Sequence, residues 1–295
     1  MKYSAIKAED SGAEPGRRTW RCLSPLLALS LILMPLAPVL AEHPPRARLH
    51  QIQPVEAAEA NERAEIRVGR EVAARILARH KLVDDPALQR YVNLVGRAVA
   101  LHGDRPDLDF YFGVIDSEQV NAYAAPGGYI FVTSAALALM EDEAELAGVL
   151  AHEVAHVDRR HIVEALNIRA PEASPMAGLT RFFGGATEAT QVFFSQAVDR
   201  VVELLFEDGL QREDEFEADR FGVRTAARTG YDAEGFSRFL SRLSELEGAR
   251  AADELSDTHP AAGERLERIR VLLQEEGLRG PEQNRFQARF EQHRP

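Results

Sequence analysis

Cysteine is nearly absent from this sequence, with Cys22 the one occurrence in 295 residues. No disulfide can form within the chain. An excess of basic charge is also missing: 35 Lys and Arg face 47 Asp and Glu, for a net charge of -12. That balance argues against nucleic acid as the main partner. There is no internal repeat, and no apolar run past residue 40 is long enough to cross a bilayer. The remaining composition is ordinary and globular, 45% hydrophobic, with length for one large domain or two small ones.

The first segment reads as a targeting signal. Arg17, Arg18 and Arg21 precede an apolar run from Leu23 to Leu40, and Val39-Leu40-Ala41 fits a small-x-small cleavage site. Pro25, Pro35 and Pro38 interrupt the run, which favours a cleaved signal over residues 1-41 rather than a retained membrane anchor. Arg17-Arg18 leaves both the general secretory route and the twin-arginine route open. A mature chain without cysteine fits an exported protein of the bacterial envelope, hence a periplasmic location. Residues 42-54 are rich in proline and charge and read as a linker.

Periodicity predicts a helix over 55-81, and Asp85-Pro86 caps a second that runs to Ala100. Leu108-Ile115 and Tyr129-Thr133 read as strands, the latter introduced by Gly127-Gly128. Ser134 is suited to cap a short helix, and a longer one is expected from about Asp142 to Leu166. Residues 167-190 look irregular, helices are predicted near 194-205, 210-229, 232-248 and 261-276, and 281-295 is a polar tail. The fold class is α+β: one mostly helical domain over 55-280, with one small sheet beside the helix considered next.

That helix contains "VLAHEVAHVDRRH", Val149 to His161. Positions four apart share a helix face, so His152 and His156 can hold one ion, and Glu153, rotated by about 100°, can reach a water on it. The five-residue pattern alone also fits a half-exposed helix whose histidines bond water. The apolar setting of Ala151, Val154 and Ala155 favours a buried helix. A catalytic zinc needs a third protein ligand and an open position. Arg159 and Ile162 stand where a metzincin would have its glycine and third histidine. "EFEAD" offers instead Glu215 and Asp219, again four apart, though the stretch is acidic enough to be a solvated face.

Four segments, "NAYAAPGGYIFVT" (121-133), "ELAGVLAHEVAHVDRRH" (145-161), "EFEADRFG" (215-222) and "DTHP" (257-260), together resemble the zinc metallopeptidases that include the CAAX prenyl protease, HtpX and BepA. They occur in the family's order and span most of residues 60-276. The soluble, exported BepA-like branch is the nearest in character, without its tetratricopeptide repeats. The resemblance implies a gluzincin-type domain binding one zinc per chain through His152, His156 and Glu215, with Glu153 as catalytic base. Asp219 then matches the family's conserved acid, read either as a proton donor or as the group orienting a ligand histidine. Orientation is favoured, because an ordinary aspartate is ionised at neutral pH.

His161 is five residues after His156, about 140° round the helix, so it cannot join the same ion and reads as structural. His259 is either near the metal, as a fourth ligand or switch, or a cap for the next helix. Arg265 is a candidate aid to the oxyanion, alongside Tyr123 and His259. Asn121, Tyr123, Gly127 and Gly128 mark a candidate edge at which an extended peptide adds as a strand. The 167-206 interval, charged at Arg181, Glu188, Asp199 and Arg200, either covers the site, touches a membrane or partner, or is packing. The expected activity is zinc-dependent hydrolysis of unfolded or extended polypeptides, by resemblance misfolded or stalled envelope proteins, with outer-membrane assembly machinery as a candidate partner. The rival expectation is a metal-stabilised, non-catalytic assembly factor that binds client strands.

Overall fold

A computed structural model describes residues 55-167, 188-249, 258-278 and 282-294. The expected signal, the linker, most of the 167-190 excursion and residues 250-257 of the expected loop lie outside the described residues. The first helix, α1 (Val55–Arg79), leads to α2 (Pro86–Ala100). Asp85 caps α2 as the sequence suggests, accepting from the amides of Ala87 and Leu88 at 2.9 and 3.0 Å.

Three strands follow: β1 (Tyr111–Ile115), β2 (Ala122–Ala125) and β3 (Tyr129–Thr133). Their order is β1-β3-β2, with β1 parallel and β2 antiparallel to β3. β1 begins at Tyr111 rather than Leu108, because Tyr111 pairs with Tyr129, the first residue of β3. Leu108, Asp109 and Phe110, before it, precede the first residue of β3 and lie outside this pairing. Gly127 and Gly128 make the β2–β3 turn at φ 71° and 92°, the left-handed region that glycine enters freely.

Strand alternation sorts the sheet into two faces. Phe112, Val114, Ala124, Ile130 and Val132 join one core with α2 and the later helices. Ile115, Tyr123, Ala125 and Phe131 face the other way and join a second core with α1 and α6 (Glu188–Glu203). Thr133, not Ser134, caps the short helix α3 (Ser134–Leu139), since the Ser134 hydroxyl is engaged with the backbone of Ser117.

The central helix α4 (Glu143–Asp158) is buried from Glu143 through Val157 on every side. It packs against α7 (Arg212–Thr229), α8 (Gly235–Ala249), α2 and β2. The sequence predicts one helix to about Leu166, but α4 ends at Asp158. Arg160 turns left-handed at φ 58°, and α5 (His161–Asn167) starts afresh. No glycine or proline marks this break. Arg160 Nε lies 3.3 Å from the buried Glu65 carboxylate of α1, a tertiary contact that holds a conformation costing roughly 1–2 kcal/mol.

A π-helical turn, Leu204–Asp208, follows α6, and α9 (Ala262–Glu275) follows α8. The last segment, polar in composition, is anchored in the domain. Its short helix α10 (Gln287–Glu291) inserts Phe290, which has 0% exposure, and Arg289 pairs with Glu143 at the start of α4. One apolar side chain in a charged stretch carries too little periodicity to be read from sequence.

Candidate active site

α4 and α7 lie side by side and each presents one face to the other. Spacing of four puts His152 and His156 on the α4 face, and Glu215 and Asp219 on the α7 face. All four are at most 4% exposed. The structure thus brings together the four residues that the two motifs suggest.

His152 Nε2 and His156 Nε2 face each other at 3.1 Å. Glu215 lies 3.6 Å from the first and 3.4 Å from the second. Four ligands at 2.0–2.2 Å around a tetrahedral ion stand about 3.3–3.6 Å apart, so the triangle has the size of one zinc coordination face. Hydrogen bonding fits the same purpose. His152 Nδ1 lies 2.9 Å from the Asp219 carboxylate, which can only accept, so Nδ1 carries a proton and Nε2 is the nitrogen left to face an ion in the neutral ring. Glu215 Oε1 is buried without a hydrogen-bond partner. Lone pairs converging on one point need a cation between them.

A second grouping overlaps this one: His152, Glu215 and His259 offer ligand atoms within 4.8 Å of one another. The His152–His156–Glu215 triangle is the better metal face. His259 Nδ1 lies 2.6 Å from Glu215 Oε2, a hydrogen-bond separation shorter than the edge between two ligands of one ion. His259 is therefore beside the site, within reach of a ligand position, and here bonded to the ligand carboxylate.

The electrostatics agree that the centre favours one positive charge. Burial and the neighbouring Arg265 push His152 down, but Asp219 and Glu215 outweigh them and hold it at about 9. His156 is pushed well below its ordinary value by burial and by the other histidines, although Glu215 opposes. Burial works against the Asp219 carboxylate, yet Arg265 and His152 bring it to about 2, so it is ionised. That is the state needed to orient His152. Arg265, from α9, grips Asp219 through Nε at 3.0 Å and Nη2 at 2.6 Å. Its guanidinium is thus tied to a carboxylate that supports a ligand.

Glu153 lies beside the triangle, 4% exposed, and burial raises its carboxyl above the usual range while His152 and His259 oppose. It borders two cavities. One is lined by Ala122, Tyr123 and Ala124 of β2 together with His156, Glu215 and Leu204. The other is lined by Asn121, Val149, Phe236, Phe239, Leu243 and Arg265. β2 is an edge strand of the three-stranded sheet and borders both, through Ala122, Tyr123 and Ala124 at the first and Ala122 at the second. Asn121 and Tyr123 are at the site, as the sequence suggests. Gly127 and Gly128 are not: they belong to the turn beyond β2, packed against Ile66 and Asp109.

Sequence reasoning misses two contributors. Gly222 touches the backbone of His152, where a Cβ would lie 2.9 Å from its N and Cα. Its spacing of three from Asp219 and seven from Glu215 puts it on their face, and that is the signal that could have found it. His161 is 1% exposed, and its Nδ1 lies 2.9 Å from His156 Nδ1. The 140° separation assumed an unbroken helix, and the turn at Arg160 brings the ring back.

Residues 86–273, well over half of the chain, match the family model for peptidase family M48. The chain is 30% identical over 206 residues to the Beta-barrel assembly-enhancing protease of Escherichia coli (strain K12), covering 63% of this chain and 39% of that protein. It is 30% identical over 202 residues to the protein of the same name from Yersinia pestis, with the same coverage. The match to the mitochondrial metalloendopeptidase OMA1 of Homo sapiens is 27% identical over 171 residues, covering 56% of this chain and 33% of that one. The chain spans well under half the length of these relatives.

Proposed function

Because the chain belongs to peptidase family M48, we propose that it is a zinc-dependent endopeptidase that cleaves extended polypeptide segments in the bacterial envelope. The observation that carries this reading is the convergence of His152 Nε2, His156 Nε2 and the unpartnered Glu215 Oε1 next to buried Glu153. His152, His156 and Glu215 would hold the zinc, which when bound supplies Lewis acidity and an activated water.

The chain's own groups do the rest. Glu153 takes a proton from the attacking water and returns it to the leaving amine, a task suited to a carboxyl whose pKa burial has raised. Asp219 keeps His152 Nδ1 protonated, and Arg265 keeps Asp219 ionised and in place. The free edge of β2 pairs with substrate backbone, and side chains on either side of the scissile bond enter the two cavities. The second cavity, walled by Phe236, Phe239, Leu240 and Leu243, favours a large apolar residue. Apolar residues in an extended conformation are what unfolded chains expose. This supports misfolded or stalled envelope proteins as the substrate class, and the relatives' name supports β-barrel assembly as the setting.

A periplasmic location rests on the leader pattern of residues 1-41. Among the described residues no helix is long and apolar enough to cross a membrane. A non-catalytic assembly factor would leave Glu153 buried at a metal face with no task, since a structural metal site needs no general base.

The test is hydrolysis of casein or unfolded outer-membrane protein by wild type and Glu153→Gln. The variant should keep its zinc and its fold while losing on the order of 10²–10⁴ in rate. Equal turnover by the two proteins would remove Glu153 from its role. Absence of turnover in zinc-loaded wild type would favour the assembly factor.

A further inference from the structure

His161 opens α5 immediately after the left-handed Arg160 and is almost completely buried. It is too far round to share the metal face, yet it is joined to it. Its Nδ1 lies 2.9 Å from Nδ1 of His156, with the rings nearly perpendicular at 77°. On the other side of the ring, its Nε2 lies 3.3 Å from Glu217 Oε2. The second oxygen of Glu217 receives Arg159 Nε at 3.0 Å and Nη2 at 2.9 Å. A line of contacts therefore runs Arg159, Glu217, His161, His156.

Donor and acceptor rules assign the protons along that line. A carboxylate paired with arginine only accepts. Its bond with His161 therefore requires the hydrogen on Nε2. In the neutral ring Nδ1 is then bare and can only accept. The 2.9 Å contact in turn requires His156 to carry its hydrogen on Nδ1. His156 Nε2, which faces His152 and Glu215, is left with a free lone pair. The neutral His152 ring is held in the same tautomer by its direct bond to Asp219. One histidine is oriented by a carboxylate directly, and the other by a carboxylate acting through a second imidazole.

We propose that His161, backed by Glu217, is a positioning residue that fixes the tautomer and ring orientation of His156 and thereby sets the affinity of the site for zinc. The inference rests on the reading of His156 as a ligand. Glu217 sits two residues beyond Glu215 on α7, so the helix that supplies one ligand also anchors the support of another. The Arg160 turn is what makes this possible, because on a continued α4 helix His161 would point elsewhere.

The experiment measures zinc affinity by competition with a chelator for wild type, His161→Phe, His161→Asn and Glu217→Ala. Phenylalanine fills the space without an acceptor, whereas asparagine offers its side-chain oxygen where Nδ1 stood. The expected result is affinity weakened about 10–100-fold in His161→Phe and Glu217→Ala and largely restored in His161→Asn, the range typical of a lost ligand support. Wild-type affinity in His161→Phe overturns the proposal, as does equal weakening in His161→Phe and His161→Asn. Two-bond proton–nitrogen NMR spectra of the metal-free wild type provide a second readout that does not depend on the variants folding. They should show His156 protonated at Nδ1 and His161 at Nε2, and the opposite tautomers would overturn the proposal. Wild type that binds no zinc but shows these tautomers would overturn the metalloprotease reading and leave the relay standing.

Discussion

Replacing Gly222 by alanine should damage the metal face without touching any ligand. The new Cβ would stand 2.9 Å from both N and Cα of His152 and 3.1 Å from the Ala151 carbonyl carbon. Comfortable carbon contacts begin near 3.5–4.0 Å, so α7 and α4 must separate by about 0.6–1 Å at this point. These are backbone atoms of two packed helices, and no side chain can swing aside. Asp219 is one turn away and Glu215 two, roughly 4.5 and 10.5 Å along the helix. The 2.9 Å bond between Asp219 and His152 is therefore affected first. The ligand separations of 3.4 and 3.6 Å would open to about 4.0–4.6 Å, beyond the edge of about 3.3–3.6 Å that a zinc tetrahedron allows.

Two terms oppose each other in the fold. Overpacking costs about 1–3 kcal/mol. Alanine in place of glycine within a helix returns about 1 kcal/mol. The net expectation is a loss of about 0–2 kcal/mol in stability, with at least a tenfold loss in zinc affinity. Gly263 provides the internal control. It also lies in a helix, but a Cβ there meets nothing nearer than Ser244 Oγ at 4.0 Å, so Gly263→Ala should stabilise by about 0.5–1 kcal/mol. Urea unfolding of the two variants, with zinc competition on each, separates the effects. Gly222→Ala with wild-type zinc affinity and wild-type stability would refute the claim that this contact sets the spacing of the ligand helices.

Phe290→Ala should cost about 3–5 kcal/mol in urea unfolding, because the ring is fully buried, and a loss under 1 kcal/mol would mean the last segment is not docked. Burial holds the Asp158 carboxyl up at about 6 despite the Asp104 amide, against about 4 unfolded. The folded state thus binds the extra proton, and stability falls as pH rises from about 4 to 6. Asp158→Asn should remove this slope and gain about 1–2 kcal/mol at pH 7 relative to pH 4, after allowance for partial exposure; an unchanged pH profile would refute it. Replacing Leu243 with Asp should turn cleavage away from large apolar residues at one side of the scissile bond and toward basic ones, as read from peptide mixtures. An unaltered profile would mean the second cavity does not hold a substrate side chain.

Much of the site was legible because helix periodicity is local. His152 with His156, and Glu215 with Asp219, share faces by spacing alone. Asp85 caps α2 by residue type. The hydrophobic runs marked β1 and β3, and the glycine pair marked the turn. What the sequence left unread depends on which surfaces meet. Gly222 stands at a helix crossing whose partner is 70 positions earlier. Arg265 reads as a cation free to aid an oxyanion until Asp219 is seen between its two nitrogens. Phe290 looks like a stray aromatic in a polar stretch until it is seen fully buried in the main core.

The break after Asp158 is the most instructive of these. Left-handed backbone at an arginine is uphill, and nothing in "VDRRH" predicts it. The compensation comes from Glu65 on α1, buried at 3% exposure and facing three donors. Arg160 Nε lies 3.3 Å from it, Arg105 Nη1 donates at 2.6 Å, and the amide of Gly127 donates at 3.2 Å. One carboxylate therefore ties the turn that ends β2, the candidate substrate edge, to the turn that presents His161 to His156. A buried ion pair of this kind contributes little net stability compared with an apolar replacement. Its effect is geometric: the groove that would receive a peptide and the imidazole that supports a metal ligand share a common anchor. A displacement of α1 would then disturb both together, so the described helix farthest in sequence from "EFEAD" is part of the machinery that "HEVAH" needs.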